Sequence, residues 1–153
     1  LGVDYRHLRI FSVYGPGDHE TSLVASAVRA ARTGEAVSFS LCAQQWNFLA
    51  LADAVRALRL LGEAETLQTD GNPVFNVGSL DTRALRYFVE EIFETAGKPA
   101  SLAHFAPRET GPEGTPYLAP NIAKLLRSID WTPEISFRAG VRDLLSETAN
   151  GEN

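Results

Sequence analysis

Few side chains in this sequence have the types and spacings that chemistry requires. The three histidines, His7, His19 and His104, lie far apart and have no Cys, Asp or Glu partner at the spacing of metal ligands. A serine–histidine–acid set needs only spatial proximity and stays open, although Ser12 does not sit on a nucleophile elbow. Cys42 is the only cysteine, which excludes an internal disulfide and favours a small buried side chain over a nucleophile. The residues alone therefore predict no metal site.

The glycines and lysines of the sequence also do not form a complete nucleotide-binding or catalytic motif. Gly15 and Gly17 follow a predicted strand, but the third glycine of a dinucleotide-binding turn is absent, and there is no P-loop. Lys98 and Lys124 are the only lysines, and neither follows a tyrosine by four positions. Taken alone, these residues indicate an α/β domain with a phosphate-sized polar loop.

Composition indicates a globular protein of one domain. The 153 residues are 44% hydrophobic and 22% charged, which excludes a disordered or fibrous chain and a disulfide-stapled scaffold. The net charge of −5 lacks the basic footprint of a nucleic-acid-binding protein. Apolar runs stay short of the roughly 18 residues that cross a bilayer, and charges interrupt the start of the chain, where a signal peptide would lie. We therefore expect a cytoplasmic protein with no nucleic-acid or membrane partner.

The elements that must position these residues alternate between strand and helix. Ser22 is the predicted N-cap and Gly34 the stop of the first helix, while Asp53, Thr82 and Ser136 are the predicted caps of three later helices. Strands are predicted over residues 7–13, 37–41, 46–51, 74–77 and 101–105, a long loop over 107–120 and a short helix over 121–129. This alternation predicts an α/β fold.

Apolar spacing predicts which faces are buried. Residues 74–77 (VFNV) have the composition of a strand buried on both faces. The helix after Asp53 is expected to bury an apolar stripe, which comprises Val55, Leu58 and Leu61 with the neighbouring Ala54 and Ala57. Four arginines are expected on exposed helix faces, namely Arg56, Arg59, Arg83 and Arg86.

Four segments, in order along the chain, resemble one family. Residues 9–18 (RIFSVYGPGD) resemble an R-x-x-N-x-Y-G-P strand and loop, and residues 44–57 (QQWNFLALADAVRA) resemble a Q-x-R/W-D-F/Y strand with its following helix. Residues 74–79 (VFNVGS) are similar to Y-N-I/V-G-S, and residues 124–140 (KLLRSIDWTPEISFRAG) to a closing K-x…G-W-x-P…S-F-x-x-G. Together they resemble the extended short-chain dehydrogenase/reductases, which are NAD-dependent epimerases and dehydratases of nucleotide sugars.

The resemblance covers only the C-terminal half of that family. It implies that residues 1–150 form an α/β substrate-binding portion and that residues 151–153 form a disordered tail. The substrate-binding portion would contain mixed short strands and helices together with the last strands of a truncated Rossmann sheet. The family's glycine-rich NAD loop and catalytic Tyr-x-x-x-Lys pair lie upstream of the Y-G-P loop, which agrees with the absence of a first Met. The parent would be an NAD- or NADP-dependent epimerase, dehydratase or reductase, whereas the chain alone is expected to be inactive and to bind neither cofactor tightly. The alternative is a stand-alone, non-catalytic module that binds a nucleotide sugar or a protein partner.

Candidate site residues follow from the resemblance, position by position. Those expected to contact a nucleoside-diphosphate sugar are Ser12, Tyr14, Gly15, Pro16, Leu23, Val24, Trp46, Asn76 and Arg108, and Pro16 is also expected beside the cofactor. Trp46 stands where many relatives carry a phosphate-binding Arg, which favours the branch of the CDP-sugar 4-reductases. Arg108 is the first choice among the charged residues for the diphosphate, because its planar guanidinium suits that group, with a solvated loop arginine as the alternative.

The other candidates also have plainer interpretations. Ser12 replaces a family Asn with a shorter hydroxyl, or it packs behind the strand. Leu23 and Val24 lie near the nucleobase in the family, or they pack in the helix core. Trp46 stacks on a base or, as we favour, fills the core. Asn76 faces a phosphate, or it bonds the backbone at the strand end.

A truncated sheet has a consequence for association. Residues 7–13 and 74–77 resemble strands that extend the NAD-binding sheet in the whole enzyme, and without that sheet their edges lose a partner. Exposed strand edges pair readily with other chains. We therefore expect self-association, including exchange of strands, at high protein concentration.

Overall fold

A computed structural model describes residues 5–67, 71–107 and 117–147. Short strands and helices alternate along the described chain, and the predicted α/β class is confirmed. In chain order the elements are β1 (His7–Ile10), β2 (Val13–Tyr14), α1 (Leu23–Thr33), β3 (Val37–Phe39), β4 (Gln45–Asn47), β5 (Leu49–Ala50), α2 (Leu51–Glu63), β6 (Val74–Val77), β7 (Thr82–Ala84), α3 (Leu85–Thr95), a 3₁₀ turn (Ala100–Leu102), β8 (Ala103–Phe105), α4 (Ala123–Ser128) and α5 (Phe137–Glu147).

The described strands associate in two-stranded pairs. β1 is parallel to β6, with His7 opposite Val74 and Ile10 opposite Val77. β2 with β5 and β3 with β8 are also parallel, whereas β4 and β7 are antiparallel. A parallel pair needs a crossover connection, and the helices between the paired strands provide it.

Helices α1 and α5 begin where their capping residues predict. The Oγ of Ser22 accepts a hydrogen bond from the N–H of Ala25 at 3.1 Å, and the Oγ of Ser136 accepts one from the N–H of Ala139 at 3.2 Å. Helix α1 ends at Gly34, whose φ of 75° lies in the left-handed region that favours glycine. These three predictions from the sequence are confirmed.

Two hydrophobic clusters form the core. The first gathers the buried faces of α1, α3 and α5 around Tyr14. The second packs α2 and α4 against β6, where Phe75 and Val77 are fully buried and Val74 and Asn76 are half-buried. The prediction that β6 is buried on both faces is therefore wrong, because only one of its two faces lies inside the second cluster.

Two predicted helix caps are wrong. Thr82 lies in β7 opposite Asn47, because the pairing of β7 with β4 keeps the backbone extended until α3 begins at Leu85. Helix α2 begins at Leu51, so Asp53 lies within its first turn and does not cap it. The Asp53 carboxylate is instead engaged by a distant part of the chain, described below.

The predicted apolar stripe of α2 also needs correction. Val55 is 56% exposed and Leu58 is 41% exposed, whereas Leu61 is buried. Helix α2 buries Ala54, Ala57 and Leu61 in the second core cluster, so these three members of the predicted stripe are confirmed. Val55 and Leu58 fall on the neighbouring stripe, which faces away from the core.

The predicted strand over residues 7–13 is interrupted. The N–H of Phe11 donates to the carbonyl of Val77 at 2.9 Å, whereas the carbonyl of Ser12 accepts from the N–H of Leu49 at 2.9 Å. The chain therefore changes partner from β6 to β5 at this point, and β1 and β2 become separate strands.

Two arginines expected on exposed helix faces are partly buried. The Arg56 side chain is 27% exposed and pairs with Asp53 at 2.8 Å. The Arg83 side chain is 30% exposed, lies on β7 and pairs with Asp81 at 3.3 Å. Each lies against other elements because a carboxylate there compensates its charge.

Among the helices of residues 5–67, 71–107 and 117–147, none combines the length and the hydropathy of a transmembrane segment. In the same stretches, no group of three or more His, Cys, Asp or Glu side chains is placed to hold a metal ion.

Candidate functional site

The loop after β2 lines an open cavity of about 420 Å³. Gly15 and Pro16 contribute to it together with Val24, so three of the predicted site residues share one surface. Helix α1 and Leu144 of α5 supply the rest of its walls, and the remaining lining residues are Gly17, Asp18, Glu20, Ala25, Val28, Arg29 and Arg32. The structure thus brings together the Gly15–Pro16 loop and the first turns of α1.

The cavity lining combines apolar side chains with two arginines, Arg29 and Arg32, and two acidic residues, Asp18 and Glu20. Val24 is buried and presents aliphatic surface. The Nη1 of Arg29 donates to the carbonyl of Glu20 at 3.4 Å, and the Nη2 of Arg32 donates to the carbonyl of Leu144 at 3.0 Å. Because a guanidinium carries five N–H donors, both arginines retain donors for an anionic group.

The loop holds its own shape through short-range hydrogen bonds. The N–H of Asp18 donates to the carbonyl of Gly15 at 3.2 Å, and Gly17 adopts a φ of 79°. The Asp18 carboxylate accepts from the N–H of His19 and from the Oγ of Ser22, both at 2.7 Å. The loop is therefore joined by hydrogen bonds to the N-cap of α1.

Tyr14 lies beneath the loop as a packing residue. Its ring is 2% exposed and stands 4.9 Å from the Phe137 ring and 6.2 Å from the Phe48 ring. Its Oη donates to the carbonyl of Phe137 at 3.4 Å. Burial, and after it the charge of Asp53, raises the pKa of the Tyr14 phenol well above its usual range. Tyr14 therefore stays a neutral hydrogen-bond donor near pH 7 and is not poised to act as a base.

Three other predicted site residues lie outside the cavity lining. Ser12 is half-buried between β1 and β2 and bonds Leu49 through its backbone. Leu23 is the first residue of α1 and packs half-buried against the first core cluster. Trp46 packs against the same cluster from β4, directly opposite Arg83. For Leu23 and Trp46, this packing favours the core interpretation.

Asn76 is not brought to the cavity by its described contacts. The Nδ2 of Asn76 donates to the carbonyl of Asn121 at 3.0 Å, and the Oδ1 of Asn121 accepts from the N–H of Ala123 at the start of α4. This geometry favours the backbone-bonding interpretation of Asn76. Arg108 lies outside the described residues, so its contact with a diphosphate stays a prediction.

Asn47 joins β4 to the segment that follows β6, a role that the sequence did not assign. It is fully buried, and its Nδ2 donates to the carbonyls of Ser79 and Asp81 at 3.1 and 3.0 Å and to the Oγ1 of Thr82 at 3.0 Å. Its Oδ1 accepts from the N–H of Ser79 at 2.9 Å. The available signal was an uncharged amide inside a short apolar strand.

Asp53 joins α2 to the segment before α5. Its carboxylate is 2% exposed and accepts from the N–H groups of Glu134 and Ile135 at 3.0 and 2.9 Å and from the Nη2 of Arg56 at 2.8 Å. Its carbonyl accepts from the Nε1 of Trp131 at 3.2 Å. The acid in the first turn of an apolar helix is visible in the sequence, but its partners are 81 and 82 residues away.

A nicotinamide dinucleotide fits the described residues in one respect only. Pro16 is exposed and lines cavities of about 420, 150 and 570 Å³, so a ring could lie against it. The missing side chain of Gly15 makes room for Leu51, since a Cβ there would lie 2.7 Å from the Leu51 Cβ. Strands β5 and β7 run directly into α2 and α3, which leaves no glycine turn for a pyrophosphate at either junction. The loop between β2 and α1 carries Gly15 and Gly17 but lacks the third glycine of a dinucleotide-binding turn.

Comparison with known proteins identifies the family. A sequence model described as the NAD dependent epimerase/dehydratase family matches residues 1–78 of the 153. A curated relative, dTDP-6-deoxy-L-talose 4-dehydrogenase (NAD(P)(+)) of Kitasatospora kifunensis, is 33% identical over 144 residues, which are 90% of this chain and 44% of that protein.

Solved structures match almost the whole chain. The dTDP-glucose 4,6-dehydratase of Bacillus anthracis, in complex with NAD, has a TM-score of 0.79 at 20% identity and is matched over 95% of this chain and 45% of that protein. RMD of Pseudomonas aeruginosa, complexed with NADPH, has a TM-score of 0.72 at 25% identity over 91% and 46% of the two chains. The UDP-glucuronic acid 4-epimerase of Bacillus cereus, in complex with UDP-glucuronic acid and NAD, has a TM-score of 0.76 at 19% identity over 92% and 45%. The chain spans a little under half the length of these proteins. The resemblance of the four sequence segments is confirmed, and the chain belongs to the NAD-dependent epimerase/dehydratase family.

Proposed function

We propose that residues 1–150 are the nucleotide-sugar-binding portion of a longer NAD(P)-dependent enzyme that epimerises, dehydrates or reduces an activated sugar. The observation that carries this proposal is the 33% identity, over 90% of the chain, to a protein named as a dTDP-sugar 4-dehydrogenase. Membership of the epimerase/dehydratase family supports the same class of substrate.

The cavity beside the Gly15–Pro16 loop suits such a ligand. Its volume of about 420 Å³ falls within the range of small-molecule sites. Val24 offers an apolar contact, and Arg29 and Arg32 offer donors to a diphosphate. In this proposal the backbone of the Gly15–Pro16 loop faces the ligand.

Binding and redox chemistry are divided between this chain and the cofactor. NAD(P) supplies the hydride donor or acceptor of the whole enzyme. In this proposal the residues of this chain bind and orient the activated sugar. Since neither Lys98 nor Lys124 follows a tyrosine by four positions, we expect the chain alone to be inactive and to bind neither NAD nor NADP tightly.

Two sequence observations favour different nucleobases for the ligand. The curated relative is named for a dTDP-sugar, whereas Trp46 resembles the residue of the CDP-sugar 4-reductases. Both are pyrimidine nucleotides, so a cavity of one size accepts either. A direct comparison of ligands is therefore part of the test.

Calorimetric titration with dTDP-, CDP- and UDP-sugars tests the proposal. We expect saturable binding of at least one of them and a loss of affinity of about tenfold or more in Arg29→Ala, because a charge-assisted hydrogen bond is worth roughly 1.5–3 kcal/mol. Arg127→Ala is the matched control, since Arg127 is also an exposed helical arginine but lies on α4, away from the cavity lining.

Absence of heat with every nucleotide sugar, in a sample shown to be folded, would contradict the proposal. An equal loss of affinity in Arg29→Ala and Arg127→Ala would show that the nucleotide sugar binds elsewhere than in this cavity. The coding sequence decides against the alternative of a stand-alone module if a glycine-rich loop and a Tyr-x-x-x-Lys pair precede Leu1 in the same reading frame.

A further inference from the structure

Glycines inside the described helices have different surroundings. Glycine is less favourable than alanine in a helix interior, so a helical glycine needs a packing reason. A Cβ built on Gly62 of α2 would meet no atom within 4 Å. A Cβ built on Gly140 of α5 would lie 2.2 Å from the Oη, 2.9 Å from the Cζ and 3.0 Å from the Cε2 of Tyr14. The fold therefore uses the missing side chain of Gly140 to admit Tyr14.

Tyr14 has little freedom to move away from Gly140. Its ring is buried against Phe137 and Phe48, with ring centroids 4.9 and 6.2 Å away, and its Oη donates to the Phe137 carbonyl at 3.4 Å. Dense interiors do not absorb an added carbon atom without displacement of their neighbours. A side chain at position 140 must therefore push Tyr14 along β2 or push α5 away from it.

Tyr14 leads directly into the Gly15–Pro16 loop. On the other side of that loop, Gly15 rests against Leu51, where a Cβ would lie 2.7 Å from the Leu51 Cβ. Pro16 and Gly140 line the same narrow cavity of about 150 Å³ between the loop and α5. The loop is thus held from two directions, by α2 at Gly15 and by α5 under Tyr14.

We infer that Gly140 is a positioning residue, which seats Tyr14 under α5 and thereby fixes where the Gly15–Pro16 loop stands at the ligand cavity. The effect on ligand binding rests on the proposed function, whereas the position of the loop does not. Gly140 itself contributes no lining to the cavity of about 420 Å³, so it acts through Tyr14. The competing interpretation is that Gly140 serves global stability alone.

Nuclear magnetic resonance of the whole chain distinguishes these interpretations. In Gly140→Ala we expect the backbone amide signals of Gly15 and Gly17 to shift. In the double variant Tyr14→Phe/Gly140→Ala, which removes the atom 2.2 Å from the new Cβ, we expect them to return toward their positions in Tyr14→Phe. Affinity for the best-binding nucleotide sugar should fall by about tenfold in Gly140→Ala and recover in part in the double variant.

Two controls separate loop position from stability. Gly62→Ala makes the same change in a helix with open space around it and should leave the Gly15 and Gly17 signals unmoved. Leu61→Ala destabilises the protein from the second core cluster, which does not include Tyr14, and should also leave them unmoved.

Unmoved Gly15 and Gly17 signals in a folded Gly140→Ala variant overturn the inference, as does an equal shift in Leu61→Ala. If Gly140→Ala does not fold, a folded double variant with the loop signals in place supports it, and failure of both variants to fold overturns it. If the wild type binds no nucleotide sugar but the signals still shift, the proposed function fails and the positioning role stands.

Discussion

Replacing Asp53 with alanine should destabilise the fold more than its place in a surface helix suggests. Three donors converge on its carboxylate, namely the N–H groups of Glu134 and Ile135 at 3.0 and 2.9 Å and the Nη2 of Arg56 at 2.8 Å. These bonds join α2 to the segment that leads into α5. Asp53→Ala removes both acceptor oxygens, and with them all three hydrogen bonds, and leaves the donors without that partner.

The expected loss follows from the type of bond. A hydrogen bond to a charged group contributes roughly 1.5–3 kcal/mol net, so the two backbone donors represent about 3–6 kcal/mol. Arg56 retains Glu134 Oε1 at 3.0 Å, an ion pair with an exposed partner that adds under about 1 kcal/mol. Water entering the space left by the carboxylate offsets part of the loss. We expect the free energy of unfolding to fall by about 3–5 kcal/mol, a large share of the typical 5–15 kcal/mol.

Urea unfolding followed by tryptophan fluorescence and circular dichroism measures this loss. Trp131 is a local reporter, since its Nε1 donates to the Asp53 carbonyl at 3.2 Å. Asp53→Asn keeps the shape and one acceptor oxygen but loses the charge, so it should cost about 1.5–3 kcal/mol. Glu63→Ala is the control, because the Glu63 side chain is 61% exposed and its pair with Arg59 is 4.0 Å long, which predicts a change below about 0.5 kcal/mol.

A loss below about 1 kcal/mol in Asp53→Ala, with an unchanged denaturant slope, would refute this reasoning. It would mean that residues 134–135 find other acceptors at little cost. Equal losses in Asp53→Asn and Asp53→Ala would show instead that the charge, and not the shape of the acceptor, carries the whole effect.

Three other perturbations test separate parts of the structure. Asn47→Asp replaces the amide that donates to the Ser79 and Asp81 carbonyls with an anionic oxygen. Chemical denaturation should therefore show that the free energy of unfolding falls by about 2–4 kcal/mol. An unchanged free energy of unfolding would contradict the assigned hydrogen bonds. Burial raises the pKa of the Tyr14 phenol, so above about pH 10 this phenol should lose its proton in the unfolded state before it does so in the folded state. The free energy of unfolding should then fall by about 1.4 kcal/mol per pH unit. Tyr14→Phe should abolish that slope, and an unchanged slope would show that another group causes it. Light scattering should show self-association that Ile10→Lys reduces, since Ile10 is 47% exposed on β1, whereas a monomer at all concentrations would contradict the prediction.

Much of the fold is visible in the sequence because its signals are local. Ser22, Gly34 and Ser136 act on N–H and carbonyl groups within a few residues of themselves, so their capping roles could be predicted without the rest of the chain. Residues 74–77 form a strand with the predicted bounds for the same reason. The four family segments are local patterns too, and their order along the chain was sufficient to identify the family.

The candidate site depended on contacts that no local pattern contains. The sequence marked Gly15, Pro16 and Val24, but only the packing of α1 and α5 against the loop placed them on one cavity and left Trp46 in the core and Asn76 on the backbone of Asn121.

Long-range partners decided the roles that the sequence assigned wrongly or missed. Asp53 looked like a cap because a helix follows it closely, yet its acceptor oxygens are used by residues more than 80 positions away. Gly140 closes the S-F-x-x-G part of the last family segment, but its role depends on a tyrosine ring that reaches it from β2. Secondary structure is determined largely by neighbours in the sequence. Burial and hydrogen-bond partners are determined by neighbours in space, and only the folded chain brings such residues together.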